Sequence, residues 1–99
     1  MAKRIIVWSD KAVFELRAIL EYFNFRNKSK VYSLKLNATI QSEIKILLRY
    51  PEIGKKTDIL NVRGFLIENY FIFYEIKEVH IVILSVWDTR QNPEQAQFK

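Results

Sequence analysis

The sequence has no cysteine, a single histidine, and only two glycines and two prolines. Without cysteine, the chain has no disulfide framework, no thiolate metal site and no thiol nucleophile. His80 by itself cannot build a histidine-rich metal site or a Ser-His-Asp triad. Two glycines are too few for a glycine-rich phosphate loop. We therefore expect no bound metal and no cofactor.

Long hydrophobic runs are missing as well. The apolar stretch Ile5–Trp8 is shorter than the roughly 7–15 residues of a signal-peptide core. The stretch Val79–Trp87 is interrupted by His80 and Ser85, and it falls well below the roughly 20 residues that span a bilayer. We expect a cytoplasmic protein without membrane contact, and the lack of cysteine agrees with that location.

What the sequence does contain is positive charge and aromatic side chains. Its 99 residues make one domain, and 16 Lys and Arg against 11 Asp and Glu give a net charge of +5. Hydrophobic residues at 49% are typical of a globular protein, whereas an aromatic content of 14% is high for so short a chain. The charge suits an acidic protein partner and a nucleic acid alike.

Hydrophobic periodicity predicts an α+β fold. Ile5–Trp8 is β-branched and aromatic and reads as a strand. Ser9 or Asp10 then supplies an N-cap, and apolar residues recur at helical spacing as far as Phe23. The mostly polar segment 24–29 interrupts this pattern, and Ser29 is the predicted N-cap of a second, longer helix.

The period becomes alternating after the second helix, which we expect to end at Tyr50 because the next residue is proline. Residues 50–56 are predicted to form a loop. Three strands follow in an antiparallel meander with hairpin spacing: Leu60–Ile67, Tyr70–Ile76 and Val79–Trp87. Residues 88–99 read as a polar C-terminal tail. The two helices are expected to pack on one face of this small sheet.

The last two strands are apolar on both faces, whereas a half-exposed strand alternates apolar with polar residues. Phe71 and Phe73 share one face of their strand, opposite Ile72 and Tyr74. Two helices in one layer cover one face of a sheet. Either the loops and the tail bury the second face, or part of it is an exposed patch for a protein partner.

Basic residues are the candidates for phosphate contacts. They include Lys55, Lys56, Arg63 and Arg90, together with a cluster near the turn between the helices at Arg26, Lys28, Lys30 and Lys35. The cluster also reads as ordinary solvated surface. Arg63 and Arg90 stand at strand boundaries. For each of them the sequence is equally consistent with a functional contact and with a structural ion pair, such as Arg90 with Asp88. His80 reads as structural, and the loop acids lack the paired spacing of acid–base catalysis.

Five segments, in this order and spacing, resemble one known family. They are Trp8-Ser9-Asp10-Lys11-Ala12, Tyr50-Pro51-Glu52-Ile53-Gly54-Lys55-Lys56, Val62-Arg63-Gly64-Phe65, Asn69-Tyr70-Phe71-Ile72-Phe73-Tyr74, and Ile83-Leu84-Ser85-Val86-Trp87-Asp88-Thr89-Arg90-Gln91-Asn92-Pro93. Together they resemble the RelE/ParE superfamily, the toxins of type II toxin–antitoxin systems, which include plasmid stabilisation proteins. The similarity extends over almost the whole chain.

The resemblance implies a protein that inhibits growth unless its antitoxin wraps over it in a toxin–antitoxin hetero-oligomer. It also implies one of two targets. A ParE-like toxin inhibits DNA gyrase without a catalytic set of its own. A RelE-like toxin is a metal-independent endoribonuclease that cuts mRNA on the ribosome, and here Lys55, Lys56, Arg63 and Arg90 would surround the scissile phosphate.

Two departures from the ribonuclease pattern favour the ParE-like branch. Phe71 stands where RelE-like nucleases tend to carry arginine, and the C-terminal tyrosine or histidine-tyrosine pair is replaced by Phe98 alone. We therefore expect a gyrase inhibitor, with the ribonuclease and an inactive antitoxin-binding remnant as alternatives. The candidates for binding target or antitoxin are Arg63, Phe71, Phe73, Trp87 and Arg90.

Overall fold

The order of elements follows the change of hydrophobic period along the chain. A computed structural model describes residues 3–90. Its elements are β1 (Ile5–Trp8), α1 (Asp10–Asn27), α2 (Val31–Ile44), α3 (Ile46–Arg49), β2 (Lys55–Lys56), β3 (Val62–Ile67), β4 (Tyr70–Ile76) and β5 (His80–Asp88). The predicted α+β class, with a strand, helices and then an antiparallel meander, is confirmed.

Helix α1 begins where a side chain satisfies its first backbone donors. The Ser9 hydroxyl accepts a hydrogen bond from the Ala12 N–H at 3.0 Å, so Ser9 rather than Asp10 is the N-cap. The predicted polar break at residues 24–29 was too early, because α1 continues to Asn27. The residue after the helix, Lys28, has a left-handed backbone (φ 52°) that turns the chain.

The second helix of the prediction is divided in two. The Ser29 hydroxyl accepts the N–H of Val31 at 3.1 Å, although Lys30 is the residue directly before α2. At Lys45 the backbone N–H turns to the carbonyl of Ser42, which separates α2 from the single turn of α3. The helical segment ends at Tyr50, before the proline, as expected.

The sheet has five strands in the order β1-β5-β4-β3-β2. Strand β1 is parallel to β5, and the other neighbours are antiparallel. The prediction of a loop over residues 50–56 was wrong at its end, because β2 pairs there with β3. Asp88, which we expected in the tail, is the last residue of β5. Residues 89 and 90 of the predicted tail form a turn after β5, and residues 91–99 lie outside the described part of the chain.

The core lies between the helices and one face of the sheet. Buried side chains of the helices, such as Ile40 and Leu47, meet alternate residues of β4 and β5 in a single hydrophobic cluster. Tyr70, Ile72 and Tyr74 point into this cluster from β4. None of the helices within residues 3–90 has the length and apolar character needed to cross a membrane.

Candidate functional site

Three of the four cations predicted to surround a phosphate lie at the same edge of the sheet. Lys56 pairs with Arg63 across β2 and β3, and Lys55 pairs with Gly64. Both lysines are exposed, and the Arg63 side chain is half-buried. The sheet register therefore places all three at one edge of the sheet, with Lys56 and Arg63 on one face and Lys55 on the other.

Arg63 also holds the loop that precedes β2. Its Nη1 donates to the carbonyls of Gly54 at 2.9 Å and Glu52 at 3.2 Å. A guanidinium bound to backbone carbonyls has fewer donors left for a ligand. Arg63 thus has a structural contact that the sequence left open.

Tyr74 on β4 also contacts this loop, through its side-chain hydroxyl. Its buried hydroxyl donates to the carbonyl of Pro51 at 2.7 Å and accepts the N–H of Gly54 at 2.9 Å. Burial raises the pKa of this hydroxyl. A Cβ at Gly54 would lie 2.5 Å from the Tyr74 oxygen and 3.0 Å from the carbonyl of Gly64, so this position has no room for a side chain.

Arg90 lies at a different part of the sheet and is paired. Its Nε and Nη2 contact the two carboxylate oxygens of Asp88 at 3.0 and 2.8 Å. The hydrogen bonds from Arg90 lower the pKa of the Asp88 carboxyl. Beside this pair, burial raises the pKa of the Tyr70 hydroxyl, and the charge of Asp88 acts in the same direction. The ion pair considered from the sequence is therefore present.

Arg63 and Arg90 do not converge on one site. Arg63 is opposite Tyr74 on β4, whereas Asp88, two residues before Arg90, is opposite Tyr70. These two positions on β4 are about 13 Å apart at the rise of an extended strand. Strands β3 and β5 also lie on opposite sides of β4. A single phosphate cannot contact both guanidinium groups in this arrangement.

The three predicted aromatic candidates do lie together, on the sheet face away from the helices. Phe71 is directly opposite Trp87, and its ring stacks on that of Phe73 with centroids 5.9 Å apart. Gly64 lies beneath the two phenyl rings, and a Cβ there would meet both at 3.2 Å. We call this surface the outer face; it comprises Val7, Leu66, Phe71, Phe73, Val82 and Trp87.

The outer face is apolar and only partly shielded. Leu66, the cross-strand neighbour of Phe71, is 55% exposed, and Val7 at the other end of the surface is 39% exposed. Phe73 is buried, whereas Phe71, Val82 and Trp87 are half-buried. Within residues 3–90 the helices cover the opposite face, so the apolar excess noted in the sequence is accessible on this side.

A comparison of the sequence with protein-family models identifies the family. A family model described as the ParE toxin of the type II toxin–antitoxin system parDE matches residues 6–93. This chain belongs to the ParE toxin family. No curated protein sequence matches it.

The fold of this ParE-family toxin is shared with solved structures. One of them is described as a chromosomal ParDE toxin–antitoxin system from P. aeruginosa. The two chains are 21% identical, the similarity covers 87% of this chain and 96% of the other, and the TM-score is 0.75. The similarity supports a common fold, and the family membership implies an antitoxin partner for this toxin.

Glu15 is a residue of the toxin that the sequence analysis missed. Its carboxylate accepts hydrogen bonds from the Ser85 hydroxyl at 2.9 Å and from the Val86 N–H at 3.1 Å. These contacts lie beside an irregularity in β5, where Leu84 has no partner in the register with β4. The available signal was its position near the apolar side of α1, between Ile19 and Tyr22 on the helical wheel.

The remaining titratable candidates of the toxin occupy ordinary positions. His80 pairs with Ile5 at the start of β5, and its carbonyl accepts the N–H of Lys77 at 2.8 Å. The basic cluster between α1 and α2 is exposed. No group of three or more His, Asp or Glu side chains within residues 3–90 is arranged to hold a metal ion.

Proposed function

We propose that this chain is a cytoplasmic, growth-inhibiting toxin that inhibits DNA gyrase by binding it, and that its antitoxin holds it inactive. The observation that carries the choice of target is the separation of Arg63 from Arg90. A ribonuclease that relies on cations needs them around one scissile phosphate. Here Arg63 binds loop carbonyls and Arg90 binds Asp88.

An inhibitor that acts by docking needs an accessible surface rather than a catalytic constellation. The outer face supplies apolar and aromatic area, which is enriched in the centres of protein–protein interfaces. Leu66 and Trp87 lie on this surface beside the stacked pair Phe71 and Phe73. We propose that the outer face contacts gyrase.

A ribosome-dependent endoribonuclease is the second candidate, and one observation favours it. Lys55, Lys56 and Arg63 are neighbours at the β2–β3 edge, where they form a local concentration of positive charge. This trio could contact an RNA backbone. On this reading Arg63→Ala and Arg90→Ala abolish RNA cleavage and leave antitoxin binding intact.

Purified toxin added to two reactions separates the candidates. One reaction contains gyrase and relaxed plasmid; the other is a cell-free translation in which mRNA is mapped by primer extension. We expect loss of supercoiling with intact messages. Messages cut in a translation-dependent manner, with normal supercoiling, would establish the ribonuclease instead. Neither effect, together with harmless expression, would identify a remnant that only binds antitoxin.

A matched pair of substitutions tests the surface. Leu66→Asp places a charge on the outer face, and we expect it to weaken gyrase inhibition at least tenfold, because a charge must then be desolvated in an apolar contact. Leu60→Asp makes the same change at an 85% exposed leucine outside the outer face, and we expect normal inhibition. Equal inhibition by both variants would remove the outer face from the mechanism.

A further inference from the structure

The net positive charge of the toxin is concentrated in the hairpin formed by α1 and α2. Residues 22–42 contain four Lys and Arg and no Asp or Glu, so they carry +4 of the net charge of +5. The rest of the chain has 12 Lys and Arg against 11 Asp and Glu and is therefore close to neutral. The four cations, which we call the basic tip, are Arg26, Lys28, Lys30 and Lys35.

The basic tip is accessible, and its side chains are unpaired. Two of its members lie in the three-residue turn between α1 and α2, one lies in the last turn of α1 and one in α2. All four residues are exposed. Within residues 3–90 their side chains make no ion pair and no hydrogen bond, whereas Arg63 binds loop carbonyls and Arg90 binds a carboxylate. The charge and the donors of the basic tip are therefore available to a ligand.

The turn that carries Lys28 and Lys30 is fixed by hydrogen bonds. The backbone N–H groups of Lys28 and Ser29 both donate to the carbonyl of Asn24. The buried Ser33 hydroxyl donates to the side-chain oxygen of Asn24 and contacts the carbonyl of Lys30 at 3.1 Å. Because the backbone is already ordered, the entropy lost when a ligand binds these lysines is limited to their side chains.

The basic tip is remote from the lysines of β2. Tyr22, near the end of α1, lines a cavity together with Tyr70 at the start of β4. Strand β2 pairs with β3 at Arg63, which is opposite Tyr74. Positions 70 and 74 of β4 are about 13 Å apart, which exceeds the Debye length of about 10 Å at 0.1 M salt. The two groups of cations therefore act independently on a ligand.

A group of unpaired cations without acidic neighbours is complementary to a polyanion. Lysine and arginine side chains that neutralise the phosphates of DNA release condensed counterions, and this release favours binding. Such contacts position a protein on DNA without reading the base sequence. DNA is also the substrate of gyrase, the proposed target, so it is the polyanion that the toxin meets there.

We infer that the basic tip contacts the phosphate backbone of the DNA on which gyrase acts, while the outer face contacts the enzyme. This inference rests on the proposed function, which supplies the complex of gyrase with DNA. Four phosphate contacts give the logarithm of the binding constant a slope of about −3.6 against the logarithm of the salt concentration. The affinity of the toxin for DNA is therefore expected to depend on salt and not on base sequence.

Fluorescence anisotropy of a short labelled DNA duplex, titrated with purified toxin at several salt concentrations, tests the contact. The double variant Lys28→Gln and Lys30→Gln removes two phosphate contacts. We expect its slope to fall to about −1.8 and its affinity at 0.1 M salt to fall at least tenfold. The double variant Lys55→Gln and Lys56→Gln removes the same charge at the β2 edge, and we expect it to keep the slope of the wild type.

Three results of this comparison would overturn the inference. Equal loss of slope in both double variants would mean that DNA binding reflects net charge alone. A loss confined to the Lys55 and Lys56 variant would assign the contact to the β2 edge. Phe25, which is 85% exposed beside Arg26, also suits an anionic lipid surface; binding to phosphatidylglycerol vesicles without binding to the duplex would assign the basic tip to a membrane.

A supercoiling assay separates this inference from the proposed function, and thermal unfolding ensures that both double variants are folded. Inhibition of gyrase by a wild-type toxin that does not bind the duplex would overturn the DNA contact and leave the proposed function standing. DNA binding with the expected slope but normal supercoiling would overturn gyrase as the target and leave the phosphate contact of the basic tip standing. Weaker gyrase inhibition by the Lys28 and Lys30 variant alone would support both.

Discussion

Replacing Tyr74 by phenylalanine tests the tie between β4 and the loop before β2. The substitution removes one oxygen that makes two hydrogen bonds, at 2.7 Å to Pro51 and 2.9 Å from Gly54. The Gly54 N–H is buried and loses its partner, whereas the half-exposed Pro51 carbonyl can bind water. Leaving one buried donor unsatisfied costs about 1–3 kcal/mol. We therefore expect the free energy of unfolding to fall by about 2 kcal/mol, the middle of that range.

Urea denaturation followed by tryptophan fluorescence measures this loss. The midpoint should fall while the denaturant slope stays the same, since the surface exposed on unfolding is unchanged. Tyr50→Phe makes the same chemical change at a 54% exposed tyrosine, and we expect its effect to stay within about 0.5 kcal/mol. A loss below about 0.5 kcal/mol for Tyr74→Phe would refute the reasoning that this hydroxyl anchors the loop.

The same variant has a pH signature. Burial raises the pKa of the Tyr74 hydroxyl above the value of about 10 in the unfolded chain. The folded state therefore binds this proton more tightly, and the stability it contributes is complete below about pH 10 and is lost as the pH rises through the raised pKa. The difference in unfolding free energy between wild type and Tyr74→Phe should therefore become smaller above pH 10. A constant difference from pH 8 to 11 would contradict the raised pKa of Tyr74.

Three further substitutions have defined outcomes. Glu15→Ala removes the acceptor for the Val86 N–H, and urea denaturation should show a loss of about 1–3 kcal/mol; an unchanged midpoint would mean that water replaces the carboxylate. Gly64→Ala presses a methyl group against the outer phenyl rings, and calorimetry should show about 1–3 kcal/mol of destabilisation unless the rings shift freely. Arg90→Gln removes the partner of the Asp88 carboxylate. The lowered pKa of Asp88 contributes stability above about pH 4, and this contribution is lost on acidification, so wild type and variant should converge in stability at low pH. Parallel acid-unfolding curves of the two proteins would show that the ion pair does not stabilise the fold.

The sequence predicted local features with accuracy because they depend on neighbouring residues. Ser9 is one of the two N-cap candidates, and the helix ends before Pro51 because of a steric rule that involves only adjacent residues. The strand β2 was missed because Lys55 and Lys56 carry no strand pattern; they pair only because β3 lies beside them. The end of α1 was placed too early because polar residues alone do not stop a helix.

The candidate site was predicted in part. The hydrophobic alternation of β4 and β5 indicated an apolar surface beyond the helices, and the outer face is that surface. The sequence also proposed Arg90 with Asp88, since a spacing of two residues allows the contact. It could not show that Arg63 binds the carbonyl of Gly54, because that contact depends on the path of the loop.

The sequence by itself determined the α+β order, the membership in the ParE toxin family and the lack of thiol and histidine-cluster chemistry, because periodicity, motif spacing and composition need no partner segment. Only the tertiary structure decided that Arg63 and Arg90 stay apart and that Tyr74 and Glu15 hold backbone groups. These features depend on the register of distant segments. The contact between Glu15 and Ser85, for instance, joins residues separated by 70 positions in the chain.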